Sequence, residues 1–202
     1  MYAASRRLRE SALAVARFIV FDEMPWSLAR EKAADTFAGL DIPPSDLIES
    51  AVRETWATFK PEIHRTLLLQ KRRIALRTLQ YLDSFDAFLC GSVLNGCAGS
   101  QSSIRIEVFE EDEKAVLLSL IDAGLDVEAI ENEPGPMPEP TQSLGFLLKS
   151  APSNNLEAVR IEIFPARYRS RNPRRTKPDA WQEPWEACGR IRAEELAKRI
   201  GC

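Results

Sequence analysis

The chain has 202 residues, with 27 lysine and arginine residues against 30 aspartate and glutamate residues and one histidine, so its formal net charge is −3. Hydrophobic residues make up 45% of the sequence and charged residues 28%, a balance typical of a folded soluble protein with one sizeable domain or two small ones. No run approaches the ~18 apolar residues of a membrane span, and Arg17, Asp22 and Glu23 interrupt the first apolar stretch. These features exclude a membrane segment and argue against a signal peptide, so we expect a cytoplasmic protein without a membrane partner.

Cysteine and histidine residues are few in this chain. The cysteines at 90, 97, 188 and 202 lie at no metal-ligand spacing, which favours a reduced, cytosolic chain. His64 is the single histidine, so no histidine-based metal site or serine–histidine triad can be assembled beyond that residue, for which we expect a structural or surface role. The sequence therefore predicts no resident metal site.

The acidic and basic residues are distributed unevenly along the chain, although the net charge is small. Residues 1–85 carry 13 basic and 11 acidic side chains, residues 86–164 carry 4 and 14, and residues 165–202 carry 10 and 5. Local fields rather than the net charge steer charged partners. A basic C-terminal tail after an acidic middle is thus a feature that any functional hypothesis must explain.

Apolar residues that recur at helical spacing predict four helices in the first part of the chain. The first contains Leu8–Val20, and the second begins near Ser27 with Gly39 as its C-cap. The third follows a loop and N-cap at Pro43–Ser45, and the fourth spans roughly 62–82.

After Asp86 the pattern becomes that of strands. The segment 86–90 is short and apolar and runs into a turn at Gly91, which is followed by a loop of small residues. Residues 103–109 alternate strictly, with Ile104, Ile106 and Val108 predicted to point one way. Acidic residues then open a helix that ends at Gly124.

Three further strands are predicted at 125–130, 143–149 and 157–164, the last two joined by a hairpin around Pro152–Asn155. The chain then becomes irregular until a short helix at 193–200. The sequence therefore predicts helices followed by a mixed sheet of five strands.

One succession of elements carries functional information. A helix and a strand lead to Gly91-Ser92, ten residues intervene, and the alternating strand begins at Ser103, with a later strand at Val159–Ile163. This order resembles that of the nucleotidyltransferase superfamily. The resemblance implies an α+β fold with an N-terminal helical region at 1–61, a nucleotidyltransferase-like domain with flanking helices at 62–165, and a basic tail at 166–202.

A closer likeness is to a group of uncharacterised proteobacterial proteins of similar length that are labelled nucleotidyltransferases. The segments that carry it are 27–34, 44–59, 91–98 and 109–116. This likeness implies a fold and a family label, and it implies no particular reaction.

The superfamily resemblance also assigns roles to particular positions. Gly91 would let the backbone approach a triphosphate, and the Ser92 hydroxyl with nearby N–H groups would bond phosphate oxygens. Two carboxylates two residues apart on the strand would bind a pair of Mg²⁺ ions, and a third carboxylate at Glu162 would complete the second ion's ligands.

This chain departs from that pattern at the metal site, because Ser103 and Arg105 stand where the paired aspartates would be. A guanidinium group places a permanent positive charge where a cation should bind. We therefore predict that two-metal transfer is lost and that the domain binds a nucleotide, another anion or a protein partner at Gly91, Ser92, Ser103 and Arg105. No cofactor is expected.

Several alternatives stay open. Arg105 could instead pair with Glu107 or Glu162 across strands, and Glu162 could be such a partner. An active transferase could use Glu107 and Glu162 as displaced carboxylates, in which case Mg²⁺ would be its cofactor. The tail could bind RNA or DNA or could pack against the acidic segment of its own chain; its cations are Arg167, Arg169, Arg171, Arg174, Arg175 and Lys177.

Overall fold

The structure is a computed structural model, and it describes residues 2–36, 43–132, 138–151, 155–170 and 176–201. The chain divides into two compact units. The helical unit comprises residues 1–68, 96–102 and 176–187, and the sheet unit comprises residues 69–95, 103–175 and 188–202. Each unit is therefore discontinuous in sequence.

Three helices build the helical unit: α1 (Tyr2–Val20), α2 (Trp26–Thr36) and α3 (Ser45–Phe59). Their apolar stripes meet in one buried core, because each helix carries small and branched side chains at helical spacing. The residues of this core are Ala12, Val15, Ala16, Ile19, Val20, Ala29, Ala33, Ile48, Ala51, Val52, Trp56 and Cys97. The predicted helices are confirmed.

One predicted helix end is corrected, and another lies outside the described residues. Ser45 is the first residue of α3, and Pro44 takes the N-cap position without a side-chain hydrogen bond, so the predicted cap at Ser45 is wrong. Proline suits this end of a helix because its missing N–H would find no intrahelical partner there. Gly39, the predicted C-cap of α2, lies outside the described residues.

A fourth helix, α4 (Pro61–Tyr81), leads into the sheet. Near its start, the ring of His64 stacks on that of Trp56, with centroids 4.7 Å apart and planes 4° apart. The single histidine of the chain is thus held against an aromatic side chain of the helical unit.

The sheet unit contains a mixed sheet of five strands in the order β1-β2-β5-β4-β3. The strands are β1 (Asp86–Cys90), β2 (Ile104–Phe109), β3 (Glu128–Ile130), β4 (Gln142–Lys149) and β5 (Leu156–Phe164). Strands β2 and β5 are parallel and the other neighbours are antiparallel. The predicted α+β architecture, with helices followed by a mixed five-stranded sheet, is confirmed.

The two faces of this sheet differ in chemistry. Ile104, Ile106 and Val108 of β2 are fully buried on one face, as their alternation predicts, together with Ile161 and Ile163 of β5. The opposite face carries charged side chains at the intervening positions of both strands. Arg105 and Glu162, which the sequence analysis singled out, lie on this polar face.

The loop predicted after β1 is corrected, because it begins with a short helix, α5 (Gly91–Asn95). Val93 and Leu94 of this helix are buried. By contrast, the helix predicted after β2 is confirmed as α6 (Glu113–Asp122), whose N-cap residue Asp112 accepts hydrogen bonds from the backbone N–H groups of residues 114 and 115.

The C-terminal part of the chain contains short 3₁₀ turns at Ala166–Tyr168 and Pro184–Ala187 and a final helix, α7 (Ala193–Ile200). The backbone of Ile191 pairs with Leu89 and so extends the β1 edge of the sheet. Among the described residues, no helix combines the length and hydropathy that crossing a bilayer requires.

Candidate anion site on the polar face of the sheet

Strand register places the candidate residues on one face. Cys90 of β1 pairs with Arg105 of β2, and Arg105 pairs with Arg160 of β5. Two residues further along the same strands, Glu107 pairs with Glu162. Because directly paired residues share a face, the two arginines and the two glutamates form a compact charged group.

Arg105 bridges the two glutamates. Its Nε lies 2.9 Å from Oε2 of Glu162, and its Nη2 lies 3.7 Å from Oε1 of Glu107. Arg105 therefore forms ion pairs with Glu107 and Glu162, which was one of the alternatives left open by the sequence. An arginine with two carboxylates around it keeps a defined position on the sheet.

Two further arginines complete the group. Arg160 donates from Nε to Oε1 of Glu162 at 3.2 Å and from Nη2 to the carbonyl oxygen of Glu131 at 2.7 Å. Arg190 donates from Nε to Oε2 of Glu107, and its guanidinium lies over the ring of Phe109, 4.6 Å from the centroid. Each carboxylate therefore lies between two guanidinium groups.

We call these five side chains the arginine–glutamate network: Arg105, Glu107, Arg160, Glu162 and Arg190. Three guanidinium groups and two carboxylates give it a net charge of +1. Glu107, Glu162 and Arg160 are buried, whereas the Arg105 side chain is 41% exposed. The surplus positive charge thus reaches solvent at Arg105.

Gly91 packs against the stem of this arginine. Its φ is +70°, and a Cβ added there would lie 3.7 Å from Cβ of Arg105. Glycine is favoured because this backbone conformation disfavours side chains. Ser92 and Ser103, both half-buried, lie at the same edge of the sheet, where β1 ends and β2 begins. The structure therefore brings Gly91, Arg105 and Glu162 together and places both serines at that edge.

The helix α5 that follows Gly91 is held by an arginine that the sequence did not single out for this role. Arg72 of α4 is buried and donates from Nε to the carbonyl oxygen of Val93 and from Nη2 to that of Leu94, each at 3.1 Å. A helix of five residues cannot satisfy its last carbonyl groups internally. Arg72 therefore stabilises the backbone next to the network.

The thiol of Cys90 lies beside Arg105 on the same face of the sheet. Cys90 Sγ donates to the carbonyl oxygen of Arg105 at 3.5 Å. Burial raises the pKa of the Cys90 thiol well above its ordinary value, and the negative charges of Glu107 and Glu162 raise it further against the opposing effect of Arg105. Cys90 therefore stays protonated at neutral pH and is not a nucleophile.

The residues present do not fit the Mg²⁺ pair that the superfamily resemblance implies. The two carboxylates face guanidinium groups, and Arg105 occupies the space between them. A divalent cation needs anionic oxygen ligands free of competing positive charge. Among the described residues, no three histidine, cysteine, aspartate or glutamate side chains gather as a metal-binding group.

The cations of the basic tail divide between described and undescribed positions. Arg169 forms an ion pair with Asp86, which also pairs with Arg192, and the guanidinium of Arg167 lies 4.9 Å from the ring centroid of Tyr168. Lys177 is exposed and belongs to the helical unit. Arg171, Arg174 and Arg175 lie outside the described residues. Arg169 thus contacts the sheet unit to which it belongs.

Sequence reasoning missed Arg160 and Arg190 as parts of the site. The place of Arg160 could have been predicted from the sequence. It alternates with Val159 and Ile161 in a strand, so it lies on the same face as Glu162. No local pattern marks Arg190, since it reaches Glu107 from 83 residues away.

Comparisons with known proteins identify no family for this sequence. No family model matches the sequence, and no curated protein matches it. Among solved structures, a cytoplasmic RNA terminal U-transferase is similar, with 16% identity and a TM-score of 0.34 over 55% of this chain. The similarity covers 34% of that protein's chain, so this chain spans about a third of its length.

Proposed function

We propose that this protein is a nucleotidyltransferase-like module that binds a nucleotide or another phosphate-bearing anion at Arg105 and carries out no two-metal transfer. The observation that supports this is the arginine–glutamate network, which has a net charge of +1 and exposes Arg105. A phosphate group gains charge-assisted hydrogen bonds from a guanidinium group that is already held in place.

Electrostatics favours an anion over a metal ion at this position. At an effective dielectric constant of about 20, two unit charges about 4 Å apart interact by roughly 4 kcal/mol. A divalent cation near Glu107 and Glu162 would be repelled by Arg105 and would have to displace it from both carboxylates. An anion at the exposed side of Arg105 displaces neither ion pair.

The same contacts argue against an active transferase that uses Glu107 and Glu162 in place of the missing aspartates. Each carboxylate would have to lose two guanidinium partners before it could bind Mg²⁺. Removing such partners from a buried network leaves uncompensated charges. Nucleic-acid binding by the basic tail stays a prediction, since three of its six cations lie outside the described residues.

Isothermal titration calorimetry with ATP, CTP, GTP and UTP tests the proposal, each nucleotide being titrated with Mg²⁺ and with EDTA. We expect binding that does not need Mg²⁺ and that is lost in Arg105→Met. Arg73→Met, which removes an exposed arginine of α4, serves as the matched control and should bind as the parent does.

Two results would overturn the proposal. One is tight binding that EDTA abolishes, and the other is incorporation of labelled nucleotide into any acceptor. Either would mean that a metal ion binds despite Arg105, and the transferase with displaced carboxylates would then be the better reading.

A further inference from the structure

Residues 190–192, which immediately precede α7, lie along the outer edge of β1. Ile191 accepts a hydrogen bond from the backbone N–H of Leu89 at 2.9 Å and donates one to the Leu89 carbonyl oxygen at 3.0 Å. Leu89 belongs to the apolar face of the sheet, and the buried Ile191 pairs with it and continues that face. Because side chains alternate along an extended segment, Arg190 and Arg192 lie on the polar face. We call residues 190–192 the arginine strap.

Arg190 is the strap residue that belongs to the arginine–glutamate network. Its Nε donates to Oε2 of Glu107, whose other carboxylate oxygen lies 3.7 Å from Nη2 of Arg105. The single negative charge of Glu107 is therefore shared between two guanidinium groups. Without Arg190, the network would consist of two guanidinium groups and two carboxylates, whose charges cancel. The positive surplus at the exposed Arg105 thus depends on Arg190.

Arg192 makes equivalent contacts outside the network. It forms an ion pair with Asp86, which also pairs with Arg169, and its guanidinium lies 4.7 Å from the ring centroid of Phe88. Arg190 likewise lies over an aromatic ring. The two strap arginines therefore share a segment, a charge and a type of aromatic contact, and they differ in the carboxylate that each one meets.

An acidic residue of the same face lies farther from Arg105 than this contact does. Glu128 of β3 is exposed and pairs with Gly145. It is three strand positions from Arg105, which corresponds to about 14 Å at about 4.8 Å per strand. Salt screens exposed charges beyond about 8 Å at physiological ionic strength, whereas Arg190 and Arg105 meet the same carboxylate. Arg190 therefore has the larger effect on the charge that Arg105 presents.

From these contacts we infer that Arg190 sets the preference of the site for anions, as a positioning residue that acts on Arg105 through Glu107. This inference rests on the proposed function and adds how its specificity arises. Arg190 compensates Glu107, so Arg105 keeps a positive charge that an anion can meet. The other four members of the network belong to β2 and β5, whereas the strap is joined to the sheet by one bridge. The charge of the site therefore depends on whether the strap is in place.

Calorimetry with ATP in EDTA tests the inference, because it measures binding of the anion without a metal ion. Arg190→Met removes one positive charge, keeps an apolar side chain over the ring of Phe109, and should weaken ATP binding by roughly ten-fold. Arg190→Lys keeps the charge and loses the planar guanidinium, so it should bind within about three-fold of the parent. Arg192→Met is the matched control and should bind as the parent does.

A double variant separates the charge of the network from the stability of the fold. Arg190→Met alone leaves the buried Glu107 with fewer partners, which destabilises the protein. Glu107→Gln/Arg190→Met contains no such carboxylate and keeps the parent's net charge of +1, so it should bind ATP within about three-fold of the parent. Compared with Glu107→Gln alone, it should bind roughly ten-fold more weakly. Thermal unfolding followed by circular dichroism shows that each titrated variant is folded.

The results separate this inference from the proposed function. If ATP binds equally to the parent and to Arg190→Met, the inference is wrong and the proposed function stands. Equal losses in Arg190→Met and Arg192→Met would attribute the effect to the overall charge of the protein and would overturn the inference. A double variant that binds as weakly as Arg190→Met would also overturn it, since the charge of the network would not then govern binding. If no nucleotide binds to the parent, the proposed function itself fails.

Discussion

Lys71 in α4 donates a hydrogen bond from Nζ to Oε2 of Glu157 in β5, and its side chain is 1% exposed. Glu157 belongs to the face of the sheet opposite Arg160 and Glu162, because it is an odd number of residues from both. A buried ion pair therefore lies on the apolar face, and the arginine–glutamate network lies on the polar one.

The first prediction concerns this pair. Lys71→Met leaves Glu157 without its main counter-charge and should lower the free energy of unfolding by about 3 kcal/mol. The double variant Lys71→Met/Glu157→Met replaces both charges by apolar groups and should recover most of that loss. Urea denaturation followed by circular dichroism measures both. Equal stability of the single and double variants would contradict the expected coupling between the two residues.

A second prediction uses the sign of the charge in the network. Glu107→Gln raises its net charge from +1 to +2, so the affinity for ATP in EDTA should rise by roughly ten-fold. Arg105→Met changes the charge in the opposite direction and should abolish binding. The control is Asp122→Asn, which removes an exposed carboxylate from α6. Calorimetry that found weaker binding in Glu107→Gln would rule out an anion site governed by this charge.

The third prediction concerns Arg72. Arg72→Met removes the donors to the carbonyl groups of Val93 and Leu94 and should destabilise the protein by about 2 kcal/mol. Amide hydrogen exchange followed by mass spectrometry should be faster in peptides covering 91–97, because α5 is short and depends on this contact. Arg73→Met, at the exposed neighbouring position, should change neither quantity. Unchanged exchange in α5 would mean that Arg72 does not hold this helix.

A fourth prediction is a pH dependence. Burial tends to raise the pKa of Asp179, but hydrogen bonds from Arg53 and from the backbone N–H of Trp181, together with the charge of Arg53, outweigh it, so the pKa lies below its ordinary value. The Arg53 Nη2 atom is 2.7 Å from Oδ2 of Asp179. A lowered pKa in the folded state stabilises the protein above the unfolded-state pKa, and that contribution is lost as the pH falls through the folded-state value.

Asp179→Asn should therefore be less stable than the parent at pH 7, and the difference should shrink below about pH 4. Denaturant midpoints recorded from pH 7 to pH 2 provide the measurement. The control is Asp126→Asn, which changes an exposed aspartate. A stability difference that stays constant across this range would exclude the titration of Asp179 as its cause.

The fifth prediction is that Cys90 resists alkylation. Because its thiol is buried and its pKa is raised, iodoacetamide at pH 7.5 should leave Cys90 unmodified in the native protein and modify it in urea. Cys188, which is partly exposed, should react before it. Peptide mapping by mass spectrometry distinguishes the sites. Rapid native modification of Cys90 would show that the thiolate is accessible.

The regular elements could be predicted because their signals are local. The alternation in 103–109 predicts which side chains of the strand share its apolar face, and Ile104, Ile106 and Val108 of β2 are fully buried there. It does not predict that Glu107 and Phe109 on the other face are buried as well. The loop after Gly91 could not be predicted correctly. Its small residues suggest a turn, whereas buried Val93 and Leu94 and the distant Arg72 hold it as a helix.

Only part of the candidate site could be predicted from the sequence. Gly91, Arg105 and Glu162 could be named from the order of elements, and the structure brings them together. The contributions of Arg160 and Arg190 could not be anticipated in full. Whether a charged side chain on a strand meets a partner or solvent depends on which strand lies beside it, and neighbours in a sheet are not neighbours in sequence.

The amino-acid sequence by itself determined that Ser103 and Arg105 stand at the start of the second strand, so a pair of aspartates cannot bind metal there in any fold. The tertiary structure decided what Arg105 does instead. Parallel pairing of β2 with β5 brings its Nε to 2.9 Å from Glu162, and the segment beside β1 brings Arg190 to Glu107. These contacts depend on the packing of the whole sheet, because only packing joins segments so far apart in the chain.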